Sequence, residues 1–87
     1  SNSMRESWTI TTPSALANAL KAFRHDRKMT QKDVAEAIGI RQATVSLFES
    51  HPEQVKIETL FKILSALNTQ ITIERRETNQ DIWKEGW

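Results

Sequence analysis

The feature that most constrains this chain is a single glycine, Gly39, between two short amphipathic segments. Thr30 is suited to cap the first segment, and apolar side chains follow it at helical spacing as far as Ile38. A helix that ends at this point leaves the next residue in a left-handed conformation, which glycine adopts at little cost. The same spacing returns after the glycine. The sequence therefore predicts two short helices, 31–38 and 42–50, joined by a tight turn.

Two short helices around a glycine turn are the layout of a helix-turn-helix motif, and the motif can be tested position by position. It requires buried apolar residues at fixed places, a small residue where the two helices cross, and glycine in the turn. All seven places match: Val34, Ala35, Ile38, Gly39, Ile40, Val45 and Phe48. The alternative is a generic four-helix bundle whose turn matches the motif by chance.

A helix is expected on each side of the motif. Thr12-Pro13 is typical of a helix start, and the pattern predicts a first helix over 13–27 with apolar positions at Leu16, Leu20 and Phe23. A fourth helix is predicted over 56–67. Phe61 is expected in the core. The apolar positions of this helix are Ile57, Leu60, Phe61, Ile63, Leu64 and Leu67.

The spacing of apolar residues changes after Asn68. Residues 70–76 begin with alternating polar and apolar side chains, which predicts a strand with Ile71 and Ile73 on one face. One strand cannot satisfy its own backbone. Trp8-Thr9-Ile10 could supply a short partner, but a second copy of the chain would supply a longer one, so we predict a homodimer.

These patterns divide the chain into five segments. The fold class is all-α: a four-helix helix-turn-helix domain with one C-terminal β-strand that pairs across a dimer. The expected segments are an expression scar at 1–3, an N-terminal arm at 4–12, the helix-turn-helix domain at 13–69, the dimerisation strand at 70–76 and a disordered acidic tail at 77–87.

Composition excludes several classes of function. The 87 residues allow one domain, and the absence of cysteine rules out a disulfide framework or a zinc finger. We expect no metal, no cofactor, no membrane segment and a cytoplasmic, nucleoid-associated protein. His25 and His51 have no nucleophile or carboxylate at a catalytic spacing, so no enzyme is predicted. The net charge is only +1, but residues 21–41 hold six Lys and Arg against three Asp and Glu.

The second helix of the motif is the candidate DNA-reading helix. If Val45 and Phe48 face inward, the helix turns small and polar side chains outward, as entry into the major groove requires. The predicted base-reading residues are Arg41, Gln42, Ala43 and Ser46. Lys28, Lys32 and Thr44 are expected at the DNA backbone. The alternative is that these side chains are simply solvated, and Leu47 could lie at the groove, at a dimer contact or at the rim of the core.

Over residues 13–67 the chain resembles the lambda-repressor-like (XRE) DNA-binding domains, and more closely the HipB antitoxins. The closer resemblance rests on three stretches, 16–19, 40–46 and 59–64, and on the final tryptophan. It implies that Gln31 touches a phosphate while Gln42 reads a base. It also implies a dimer that binds an inverted-repeat operator, represses its own operon and holds a HipA-like kinase toxin. The tail departs from the family in its approach to Trp87 and in the additional Trp83.

Three functions therefore compete. The first is a dimeric repressor that is also an antitoxin, in which Trp87 and Trp83 bind the toxin. The second is a stand-alone phage-type repressor without a toxin. The third is a helical adaptor that uses the same fold for protein contacts only, against which the outward-facing glutamine and small residues argue.

Overall fold

The structure, a computed structural model, describes residues 7–76. It consists of α1 (Pro13–Asp26), α2 (Gln31–Ile38), α3 (Gln42–Ser50), a single 3-10 turn at Pro52–Gln54, and α4 (Ile57–Ala66). All four predicted helices are confirmed, with α1 one residue shorter than expected at its end and α4 one residue shorter at each end. The expression scar, the tail and both of its tryptophans lie outside the described residues.

The helix boundaries are set by local hydrogen bonds. The Thr12 hydroxyl accepts from the Ala15 N–H at 3.1 Å, and Thr30 and Asp33 cap each other's backbone N–H at 3.0 and 2.8 Å. Three helices close on a residue with left-handed backbone: Lys28 after α1, Gly39 after α2 and Asn68 after α4. Only one of these is glycine. At the other two, the left-handed backbone has an energetic cost because the residue carries a Cβ.

The core lies where α2 and α3 meet α1 and α4. Its buried residues are Ala17, Leu20, Val34, Ala35, Val45, Phe48, Ile63, Leu64 and Leu67. Ile38 and Ile40 pack against this cluster, and Gly39 has the predicted left-handed φ of 71°. All seven positions of the helix-turn-helix pattern are thus confirmed.

The expectation that Phe61 on α4 lies in the core was wrong. Phe61 is 55% exposed and Ile57 is 73% exposed, although both fall at apolar helical spacing. A ten-residue helix can turn only one stripe to the core, and Ile63, Leu64 and Leu67 take that place. Ile57 and Phe61, four residues apart, lie beside that stripe and keep much of their surface in solvent.

The segments that flank the helical domain have no regular secondary structure within the described residues. Residues 69–76 lie in no helix or strand of the described chain, and 8–10 do not pair with them. Trp8 instead packs its ring on Phe23, with the ring centroids 6.0 Å apart. The strand at 70–76 stays a prediction, because its ladder would come from a second copy. No helix within 7–76 has the length and apolar character to span a membrane.

Candidate nucleic-acid interface

The outer face of α3 is the surface that the sequence predicted for base reading. Arg41, Gln42, Ala43 and Ser46 are all exposed, while Val45 and Phe48 on the opposite face are almost completely buried. The small side chains at 43 and 46 leave little between the helix backbone and a base edge. This is the shape that a helix needs to enter the major groove, and the four base-reading assignments stay predictions.

The N-terminus of α3 is electrostatically open. Its first turn contains no acidic residue, and the side chain of Arg41 makes no capping hydrogen bond. The partial positive charge of the helix N-terminus is therefore not compensated from within the helix. Together with the Arg41 guanidinium it favours an approaching phosphate group.

The candidate phosphate contacts lie in the turn before α2, at the start of α2 and on α3. Lys28 and Lys32 are exposed, and Thr44 is half-buried on α3, as is Leu47. Lys32 faces Glu36 with its Nζ 4.0 Å from the carboxylate, and both side chains are about 70% exposed. An exposed pair of this kind is worth at most about 1 kcal/mol, so a phosphate can replace Glu36 as the partner of Lys32.

Arg24 does not belong to the basic surface, although the charge count over 21–41 includes it. Its guanidinium is buried and donates to both carboxylate oxygens of Glu49, at 2.6 and 3.1 Å, and to the Met29 carbonyl at 2.8 Å. The side chains are only 10% and 8% exposed. The pair joins α1 to α3 across 25 positions of sequence, and no local spacing could have indicated it.

Gln31 is tied to the same carboxylate. Its Nε2 donates to Glu49 Oε1 at 2.9 Å, and its side chain is half-buried. Burial alone would raise the pKa of Glu49, but hydrogen bonds from Arg24 and Gln31 and the charges of Arg24 and Lys21 outweigh it and hold that pKa below its usual value. Glu49 is therefore charged at neutral pH and accepts from both neighbours.

A second exposed surface combines apolar and polar side chains. Phe61, Leu64 and Ile71 line a depression of about 340 Å³ together with the polar residues Ser65, Asn68, Thr69 and Gln70. Ile71 is 45% exposed and Ile73 is 92% exposed. The sequence predicted the two isoleucines as a surface that needs cover, and in the structure Phe61 lines the depression together with one of them, Ile71.

Comparison with known proteins places this geometry in a class. The model of the Cro/C1-type HTH DNA-binding domain matches residues 19–72, which is more than half of the chain. The antitoxin HipB of Escherichia coli strain CFT073 is 44% identical over 64 residues, which cover 74% of this chain and 68% of that protein. A HipB variant in complex with the O2 20mer has a TM-score of 0.80 and 39% identity, over 83% of this chain and all of that one.

HipB in a HipA-HipB-O2-O3 complex gives a TM-score of 0.79 at 39% identity, over 82% of this chain and all of that one. The chain belongs to the Cro/C1-type helix-turn-helix family and, within it, to the HipB antitoxins. The four-helix helix-turn-helix fold and the resemblance identified in the sequence are thereby confirmed, and the strand that pairs across a dimer stays a prediction.

Proposed function

We propose that this protein is a sequence-specific DNA-binding repressor that serves as the antitoxin of a HipA-like kinase and represses its own operon. The observation that carries the proposal is the exposed face of α3, polar and small, on a helix-turn-helix whose solved relatives are complexes with DNA and with HipA. The protein acts by binding and not by catalysis. Its place of action is the operator DNA of the cytoplasmic nucleoid.

Similarity to HipB favours the antitoxin over the stand-alone repressor. The curated relative matches over two thirds of its own length, and the same chain fold occurs in a structure that contains HipA. A helical adaptor that binds only protein would have no use for the uncompensated N-terminus of α3 or for the outward-facing Gln42.

Homodimerisation is part of the proposal. Ile71 and Ile73, which follow α4, and Phe61 on α4 expose apolar surface that a second copy would cover. An antiparallel pair of the 70–76 segments would also satisfy their backbone groups. Two copies related by a two-fold axis would place the reading helices about 34 Å apart, on successive major grooves of an inverted repeat.

The reading function is tested with a labelled duplex from the DNA upstream of the gene and a random duplex of equal length. Gln42→Ala and Arg41→Ala should each cost about 1–3 kcal/mol per half-site on the operator and little on random DNA. Lys28→Ala should weaken both duplexes alike and reduce the salt slope by about 1. Equal losses on both duplexes for Gln42→Ala would show that Gln42 does not read a base.

The toxin-binding part of the proposal concerns the tail. Trp83 and Trp87 lie in a polar acidic tail, whose Asp81 and Glu85 would be repelled by DNA phosphates. Tryptophan is enriched among the residues that dominate protein interfaces. We therefore assign the two tryptophans to the contact with a HipA-like kinase, as an addition to a larger interface made by the helical body.

A further inference from the structure

Glu49 is a carboxylate on the helix proposed to enter the major groove, and this placement requires a reason. An exposed acid on that helix would be repelled by DNA phosphates. Glu49 avoids the repulsion because its side chain is 8% exposed and its charge is matched by Arg24 at 2.6 Å. The ion pair therefore presents almost no net charge to DNA while it keeps an acceptor at the junction of α1, α2 and α3.

That acceptor determines how the Gln31 amide is oriented. An ionised carboxylate can only accept, so the NH₂ group of Gln31, and not its carbonyl oxygen, faces Glu49 Oε1, at a distance of 2.9 Å. One N–H is occupied by this bond. Within residues 7–76 the other N–H and the carbonyl oxygen make no hydrogen bond, so they can meet a DNA phosphate in one fixed orientation.

Glu49 is itself held from two sides. Arg24 donates to both of its oxygens, at 2.6 and 3.1 Å, and the guanidinium is anchored in turn by the Met29 carbonyl. The first residue of α2 is thus fixed by a chain of hydrogen bonds that begins in α1. A free glutamine side chain at this place would lose rotamer entropy on binding a phosphate, whereas Gln31 has lost that freedom before DNA arrives.

We propose that Glu49 is a positioning residue for operator binding, which presents the remaining N–H of Gln31 to a DNA phosphate. This inference rests on the proposed DNA-binding function and on the phosphate contact predicted for Gln31. It assigns the buried ion pair a role in recognition beyond its role in joining α1 to α3. Glu49 itself does not touch DNA.

The test compares the effect of Gln31→Ala on DNA affinity in two backgrounds. In the wild-type background Gln31→Ala should weaken binding of the upstream duplex about tenfold per half-site, the size typical of a hydrogen bond to a charged group. In a Glu49→Leu background, which removes the acceptor of the Gln31 N–H, the same change should cost less than about twofold, because the orientation is already lost. The effects on affinity are then non-additive.

Glu49→Leu leaves the buried guanidinium without its counter-charge and can unfold the domain. The second background is therefore Arg24→Met/Glu49→Leu, which replaces the whole ion pair by apolar side chains, a change often neutral or stabilising. Ile63→Val is the matched control, since it alters the core without touching the pair. Gln31→Ala should keep its full tenfold effect in that control, and circular dichroism identifies the folded variants.

The outcomes separate this inference from the function on which it rests. Failure of the wild-type protein to bind the upstream duplex overturns both. Binding with equal losses for Gln31→Ala in all backgrounds overturns the positioning role and leaves the repressor intact. A purely structural role would lower the thermal midpoint of the Glu49 variants but would not abolish the effect of Gln31→Ala on affinity.

Discussion

Phe61→Ala tests the proposed dimer most directly, because its effect can be worked out from the exposure of one side chain. Complete burial of a phenylalanine side chain stabilises by about 1.5–3 kcal/mol. Phe61 is 55% exposed in the single chain, so about half of that value, roughly 1–1.5 kcal/mol, remains to be gained when a partner covers it. A dimer with a two-fold axis contains the substitution in both copies, so the loss of dimer stability is about 2–3 kcal/mol.

That free energy corresponds to a rise of about 30- to 150-fold in the dimer dissociation constant. Sedimentation equilibrium over a dilution series measures it, and Lys62→Ala, an exposed neighbour on α4, is the control that should leave the constant unchanged. Chemical denaturation at one protein concentration shows whether the fold is retained. A constant that is the same for Phe61→Ala and wild type would refute the assignment of this face to the dimer.

Three further predictions concern the turn, the ion pair and the tail. A Cβ at Gly39 would meet no atom within 4 Å, so Gly39→Ala should cost only backbone strain, about 1–2 kcal/mol in urea unfolding. Gly39→Asn should cost less, because asparagine tolerates the left-handed backbone better. An equal loss of stability for both variants would argue against strain. The pKa of Glu49 is lowered in the folded protein, so the stability that Glu49 contributes is present above its unfolded pKa and is lost as pH falls through its folded pKa. Unfolding measured at a series of acidic pH values should therefore show a weaker pH dependence of stability for Arg24→Met/Glu49→Leu than for wild type. Deletion of Trp83–Trp87 should leave the fold and DNA binding intact but weaken calorimetric affinity for a HipA-like kinase, with Trp87→Ala alone costing about 2 kcal/mol; unchanged affinity would mean that the tail makes no contact with the kinase.

The sequence by itself was sufficient for the helices and for the turn of the motif. Caps such as Thr30 with Asp33, the left-handed place of Gly39 and the apolar spacing on either side depend on residues three or four apart. Interactions of that range are present in the sequence before any tertiary contact forms. For the same reason the outward face of α3 was predictable once Val45 and Phe48 were assigned to the core.

Tertiary structure alone decided what the long-range partners do. Arg24 counts as one more cation in the sequence, but the crossing of α1 and α3 buries it against Glu49, and the same carboxylate fixes Gln31. Phe61 has the spacing of a core residue, but the stripe centred on Ile63, Leu64 and Leu67 fills the available contact and leaves Phe61 outside. Helical periodicity gives the direction of a side chain relative to its own helix. Which helix lies opposite, and whether any does, depends on how the helices cross, and no spacing along the chain encodes that.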